Sequence, residues 1–154
     1  EESKNAEINP IYLSYFVPWN SHHNYEVAKK WGFKHLGHEY LREGSIDNYD
    51  QIDSISYLLN PYMKYLKFGH SIATDKASRW IRYGLKTREE MISVVEELDG
   101  KLDQGIIEKF CEFTQLDIDE FWKIMDKWYN KDLFEQDNDG IWHPKFKVGI
   151  GLIK

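Results

Sequence analysis

The chain has 154 residues, about one domain's worth, and its 42% hydrophobic and 16% aromatic content is enough apolar material for one core. Its 20 basic and 26 acidic residues give a formal charge of −6 with no dense basic stripe, which argues against nucleic acid as a partner, since phosphate neutralisation needs clustered Lys and Arg. A single cysteine, Cys111, excludes an internal disulfide and a cysteine-built zinc site, and no apolar run approaches the roughly 20 residues of a membrane span, so a cytoplasmic setting without membrane contact is expected.

The chain opens on Glu1-Glu2-Ser3 rather than Met and enters an apolar run almost at once, which reads as a fragment of a longer chain. Ile11 to Val17, bounded by Pro10 and Pro18, is rich in β-branched and aromatic residues and predicts a buried strand. A polar loop from Asn20 to Asn24 precedes a short helix over Tyr25–Trp31, stopped by Gly32, and Phe33–Leu36 suggests a second strand. Strand, helix and strand predict an α/β fold that begins with a short partial parallel sheet and continues as a mainly α-helical C-terminal region. The division falls at 1–45 for the α/β portion, completing a nucleotide-binding domain, and 46–154 for the helical region.

Gly44–Ser54 is an acidic loop, and the apolar stretch Ile55–Phe68 is interrupted at Asn60-Pro61, where a break or kink is expected. Thr74-Asp75 can cap a helix reaching Tyr83. Thr87-Arg88-Glu89-Glu90 forms a capping box for a helix with Met91, Ile92, Val94, Val95 and Leu98 on one face. Ile106, Ile107, Phe110 and Cys111 mark another helix. Asp117 caps a last one, with Phe121, Trp122, Ile124, Met125 and Trp128 on its buried side. Asp137-Asn138-Asp139-Gly140 is a turn, and the tail from Ile141 adds a strand or packs down.

No chemical motif stands out by itself. His22, His23, His35 and His38 do not supply the convergent ligand set that zinc requires, so no metal is assigned. Asp47, Asn48, Asp50 and Asp53 suit either a grip on sugar hydroxyls or plain turn formation and capping. Gly149 and Gly151 are half a dinucleotide signature and Ser71 beside His70 is no triad. A helix N-terminus near Thr74, with Lys67 and Arg79, has the makings of an anion site, against the alternative of a solvated basic face. Trp19, Tyr62, Tyr65 and Trp80 are candidate stacking platforms, although aromatics at such spacing more often form core.

Several stretches together carry a resemblance: Tyr12 to Asn20 (YLSYFVPWN), Trp31-Gly32-Phe33, Asn48-Tyr49-Asp50, Tyr65 to Gly69 with Ala73-Thr74-Asp75, Ile81-Arg82 with Gly84 leading into Thr87–Glu90, and later Phe121-Trp122 and Lys127-Trp128. In order and spacing the chain resembles the C-terminal half of the N-acetyl sugar amidotransferases, a family of PP-loop ATP pyrophosphatase type. Its members serve pseudaminic acid synthesis for flagellin glycosylation and the synthesis of lipopolysaccharide and related surface sugars. The resemblance implies an ATP-dependent transferase, with Mg²⁺ accompanying ATP, that turns a sugar N-acetyl group into an acetamidino group. The nitrogen would come from a glutaminase partner. The family's S-G-G-x-D-S loop is not in this sequence, so the chain alone is expected to be inactive. On this reading Trp19, Asn20, Asn48 and Asp50 are candidates for holding the acetamido sugar, and Lys67, Gly69, His70, Thr74 and Arg79 for holding ATP. The pattern departs at Ser71-Ile72, where a glycine and an arginine are expected. The competing reading is a non-catalytic helical module, Thr87–Tyr129, that docks the glutaminase.

Overall fold

The computed structural model describes residues 9–39 and 42–153. They fall into two compact units that divide between Lys34 and His35.

The first unit holds a 3-10 turn at Leu13–Tyr15 and helix α1, Ser21–Lys30. Asn20 starts α1 as its N-cap, its side-chain oxygen accepting the His23 N–H at 3.1 Å. The expected parallel sheet is not found among the described residues. Ile11–Val17 is not a strand, and Phe33–Leu36 leads into a 3-10 turn, Leu36–His38. The physical reason is that a strand needs a neighbour to take its N–H and C=O groups. Here the run satisfies itself locally: Phe16 N–H donates to Leu13 C=O at 2.9 Å and Val17 N–H to the same oxygen at 3.1 Å. Its apolar side chains face outward, with Ile11 72% and Tyr15 82% exposed. β-branched and aromatic composition signals a surface that fits a sheet, but it does not supply the sheet.

The second unit is mainly helical. A 3-10 turn, Ile55–Leu58, runs straight into α2, Leu59–Phe68. Pro61 causes no break, because it lies in the first turn of α2, where its missing N–H has no intrahelical acceptor to lose. Then come α3 (Ile72–Arg82), α4 (Arg88–Leu98), α5 (Gln104–Thr114) and α6 (Ile118–Asp126). The capping signals act as the sequence indicates. Thr87 accepts from the Glu90 N–H while the Glu90 carboxylate accepts the Thr87 N–H at 2.8 Å, and Asp117 accepts from the N–H groups of Asp119 and Glu120. One cap differs: α3 starts after Ser71, so Thr74 is already inside its first turn.

The largest core cluster joins α2, α5 and α6 through Leu59, Tyr62, Leu66, Ile107, Cys111, Phe121 and Met125. Phe121 is its best-buried ring, packed edge-on against Phe110 and Trp122 at centroid distances of 6.0 and 5.1 Å. A second cluster, Ala77, Met91 and Val95, seals α3 against α4. The small Ala77 lets the helices approach while the larger side chains of α4 fill the seam.

After α6 the chain returns to α2. Asn130 donates from its backbone to Leu66 C=O and from its side chain to Lys67 C=O, satisfying carbonyls at the α2 C-terminus that have no partner within the helix. Two small antiparallel pairs follow: β1 (Phe134–Gln136) with β2 (Trp142–Pro144), and β3 (Phe146–Lys147) with β4 (Gly151–Leu152). The turn expected at Asp137–Gly140 closes the first pair. Phe134 pins this hairpin to the helices, its ring 5.3 Å from that of Tyr65 and 5.1 Å from that of Tyr129. Among the described residues no helix is long and apolar enough to cross a membrane.

Candidate functional site

Two features of the second unit gather charged side chains: the acidic loop before α2, and the solvent side of α3.

The acidic loop is a folded structure held by charge. Asp47 closes it as a side-chain turn, its Oδ1 accepting the Asp50 N–H at 3.1 Å. The Arg42 guanidinium lies inside the curve and donates to the carbonyls of Asp50 at 2.7 Å and Gln51 at 3.2 Å. From α3 the Lys76 ammonium reaches over, 2.5 Å from Asp47 Oδ2 and 2.9 Å from Asp50 Oδ2. Two cations and two carboxylates thus cancel. The side chains of Arg42, Asp47 and Lys76 are 1%, 4% and 5% exposed, whereas Asp50 keeps 27% open to water. Such burial is tolerated only because each charge has a partner.

This network is the part of the site that sequence reasoning missed. Its signal was nonetheless present: Lys76 sits beside Ala73 and Ala77 on the buried face of α3, and a lysine there requires a carboxylate, for which the loop offers two. The two sugar-binding candidates of the loop are placed side by side but differently occupied. Asp50 is paired with Lys76, while Asn48 is half-buried beside the His35–Gly37 turn and accepts the Leu36 N–H through its carbonyl at 2.9 Å. Trp19 and Asn20 lie in the first unit, where Trp19 is 61% exposed and the Asn20 carboxamide caps α1.

On the solvent side of α3, His70, Thr74, Asp75, Ser78, Arg79 and Arg82 line an open cleft of about 480 Å³. Three of the five candidates for ATP therefore meet: His70, Thr74 and Arg79. Arg79 and Arg82 are three residues apart and so share a helix face, and neither is ion-paired to a described residue. Asp75, the acidic member, is engaged by Lys64 at 2.7 Å. The other two candidates serve elsewhere. Lys67 stacks its ammonium over the Trp128 ring, 4.6 Å from the centroid. Gly69 ends α2 in the left-handed conformation, φ 71°, where an added Cβ would stand 2.9 Å from the Phe146 ring.

The start of α3 also differs from the bare anion site that its helix dipole suggests. Asp99, from the end of α4, accepts the Thr74 N–H at 3.3 Å and the Thr74 hydroxyl as well. A carboxylate of the protein itself thus meets the positive end of the helix. Cation chemistry in the cleft rests on the two arginines rather than on the helix terminus.

The remaining candidates take structural places. Tyr62 and Tyr65 are core rings; burial raises the phenol of Tyr62 far above its usual value and pushes that of Tyr65 up to about 12. Trp80 packs beside the Ala77–Met91–Val95 cluster. His35 accepts the Gly37 N–H through Nδ1 at 2.9 Å. Among the described residues no group of three or more His, Cys, Asp or Glu side chains is placed to hold a metal ion.

The fold and this site define a small helical domain with a charge-latched loop and a basic cleft along one helix. The family described as "LPS biosynthesis protein WbpG-like, C-terminal domain" matches residues 43–147, roughly two thirds of the chain. The chain belongs to that family. The match runs through the acidic loop, α2 to α6 and the first hairpin, and agrees with a C-terminal portion of the amidotransferase family. It places the chain in lipopolysaccharide biosynthesis as part of a biosynthetic protein. No curated protein and no solved structure matches the chain.

Proposed function

We propose that this chain is the C-terminal part of an ATP-dependent amidotransferase that converts a sugar N-acetyl group to an acetamidino group for a bacterial surface glycan. The observation that carries the reading is the family match, which spans the resembling stretches from Asn48 to Trp128 and leaves out Tyr12–Asn20 and Trp31–Phe33. In the proposed reaction the acetamido oxygen attacks the α-phosphorus of ATP and pyrophosphate leaves. Ammonia from a glutaminase then adds to the activated carbon and expels AMP. The chain's own residues would contribute position and charge. Arg79 and Arg82 oppose the negative charge of phosphate, and His70 lies in the same cleft. Asn48 and the open edge of Asp50 offer polar groups for a sugar. Holding the two substrates in register accounts for most of the expected rate gain. Residues 1–45 would complete the nucleotide-binding domain, and the whole would work in the cytoplasm.

The test is a turnover assay of the full-length protein with glutaminase, glutamine, ATP and an acetamido sugar, read by mass spectrometry for exchange of the acetamido oxygen for nitrogen and by release of AMP. Arg79→Ala should lower turnover at least tenfold while leaving the fold intact. Absence of any ATP-dependent nitrogen incorporation sinks the proposal.

A second reading, a helical module that docks the glutaminase, is favoured by one observation. Phe113 on α5, within the Thr87–Tyr129 segment of that reading, presents its ring to solvent at 88% exposure. Phe113→Asp should then abolish co-purification with the glutaminase; unchanged co-purification removes α5 from any such contact.

A further inference from the structure

Among the described residues, Nδ1 of His70 is buried without a hydrogen-bond partner, although the side chain keeps 41% of its surface open and lines the α3 cleft. Buried polar atoms are nearly always paired, so one left over needs a physical reason. What this atom faces is a carboxylate. Asp75 Oδ1 lies 3.8 Å away, too far for a hydrogen bond but close enough for its charge to act on the ring.

A neutral imidazole carries its proton on one nitrogen or the other. With the proton on Nε2, the Nδ1 lone pair would face the carboxylate and the two would repel. With the proton on Nδ1, an N–H points at Asp75, and a movement of about 1 Å completes the hydrogen bond. The carboxylate therefore selects the Nδ1–H form, which leaves a free lone pair on Nε2, on the open part of the ring. Asp75 is itself held in place, its other oxygen accepting the Lys64 ammonium of α2 at 2.7 Å. Phe68 flanks the imidazole, the ring centroids 6.3 Å apart. The other charged groups of the neighbourhood are Arg79 and Arg82 in the same cleft, while Lys67 of α2 is engaged with Trp128 and Asp99 of α4 with Thr74. Of the groups lining the cleft, the arginines cannot accept a proton, Thr74 and Ser78 are too weakly basic, and Asp75 is tied to Lys64. His70 is what remains as a base near neutral pH.

We propose that His70 is the proton acceptor of the cleft, its Nε2 taking a proton from the incoming nitrogen, with Asp75 as the positioning residue that fixes the tautomer. This deepens the reaction proposed above and rests on it. As ammonia adds, the N–C bond forms and a proton passes from that nitrogen to Nε2. The C–O bond to the adenylate then breaks, and its electron pair departs with AMP. The imidazolium, its Nδ1–H turned to Asp75, gives the proton to water at the open side of the ring. Arg79 and Arg82 stand in the same cleft to oppose the charge of the departing phosphate.

Two measurements on the same variants test this. Long-range ¹H–¹⁵N NMR of the histidine-labelled chain above neutral pH should show His70 as the Nδ1–H tautomer, and Asp75→Asn should move it toward Nε2–H. The second measurement supplies the full-length enzyme with ammonium chloride, ATP and an acetamido sugar. There His70→Gln should lower kcat about a hundredfold while KM for ATP stays within about threefold. The acid limb of the kcat–pH profile should flatten, and added imidazole should restore part of the rate. Asp75→Asn should lower kcat about tenfold by favouring the wrong tautomer, with Asp75→Glu recovering most of it. A His70 with a merely structural role would gain nothing from imidazole. The proposal is overturned if His70 carries its proton on Nε2 in the native chain. It is equally overturned if the wild type forms the amidine and His70→Gln forms it as fast, in which case the reaction itself stands. No amidine from the wild type removes the reaction and this role together.

Discussion

Replacing Lys76 by Met tests how the acidic loop is held. The substitution keeps most of the apolar stem and removes the ammonium. It leaves Asp47, 4% exposed, with two backbone N–H groups and the Arg42 guanidinium 4.0 Å away. Removing one partner of a buried ion pair costs about 3–5 kcal/mol, because the other charge stays desolvated. Arg42 and the partial exposure of Asp50 moderate that, so about 3 kcal/mol is expected. For a chain of this length that corresponds to a fall in Tm of about 10 °C. Urea unfolding followed by tryptophan fluorescence reads the change as a lower midpoint. Asp47→Asn with Lys76→Met should cost less than the sum of the two single changes by at least about 1 kcal/mol, since the pair is then removed together. If Lys76→Met shifts stability by less than about 0.5 kcal/mol, the value typical of a surface site, the loop is not latched by this ion pair.

Gly69→Ala should destabilise by more than Gly140→Ala. Both glycines have positive φ, 71° and 81°, and share a backbone penalty of about 1–2 kcal/mol; only at Gly69 does the new Cβ meet a ring, and the difference in unfolding midpoints measures that contact. Thr87→Ala should cost about 1 kcal/mol by removing one half of the capping box, with loss of hydrogen-exchange protection at Glu90 as its local sign. The Asp137–His143 contact predicts a pH effect. Its hydrogen bond to His143, and then that to the Ile141 N–H, hold the Asp137 carboxyl below its usual value. The unfolded chain therefore binds this proton first. The contribution to stability is complete above the ordinary aspartate range and is lost as pH falls through the lowered folded value. His143→Ala should move the Asp137 titration back up, as read by carboxyl NMR shifts; an unmoved titration would show that the backbone donors set it.

Local rules decided much of the helical unit. Thr87, Glu90 and Asp117 cap their helices with side-chain bonds spanning three residues or fewer, so their meaning was complete within a short window of sequence. The same holds for the Asp137–Gly140 turn, whereas the break expected at Asn60-Pro61 does not occur, because Pro61 falls in the first turn of α2. The site was less legible. His70, Thr74 and Arg79 come together because Thr74 and Arg79 lie on α3 and His70 immediately precedes its N-cap, whereas Lys67 faces Trp128, some 60 residues on, and that partner could not be read from its neighbours.

What the sequence by itself determined was the starts of α4 and α6, because capping and turning are short-range bonds; α1, which begins at Ser21 rather than Tyr25, and α3, which begins at Ile72 rather than after Thr74-Asp75, start earlier than the local signals indicate. What only the tertiary structure decided was the fate of residues whose partners lie far along the chain. Ile11–Val17 has the composition of a strand but finds no ladder among the described residues. Lys76 has the composition of a surface residue but is buried, because Asp47 and Asp50 arrive from nearly 30 residues away to neutralise it. Composition states what a side chain requires, and the fold alone decides whether the requirement is met.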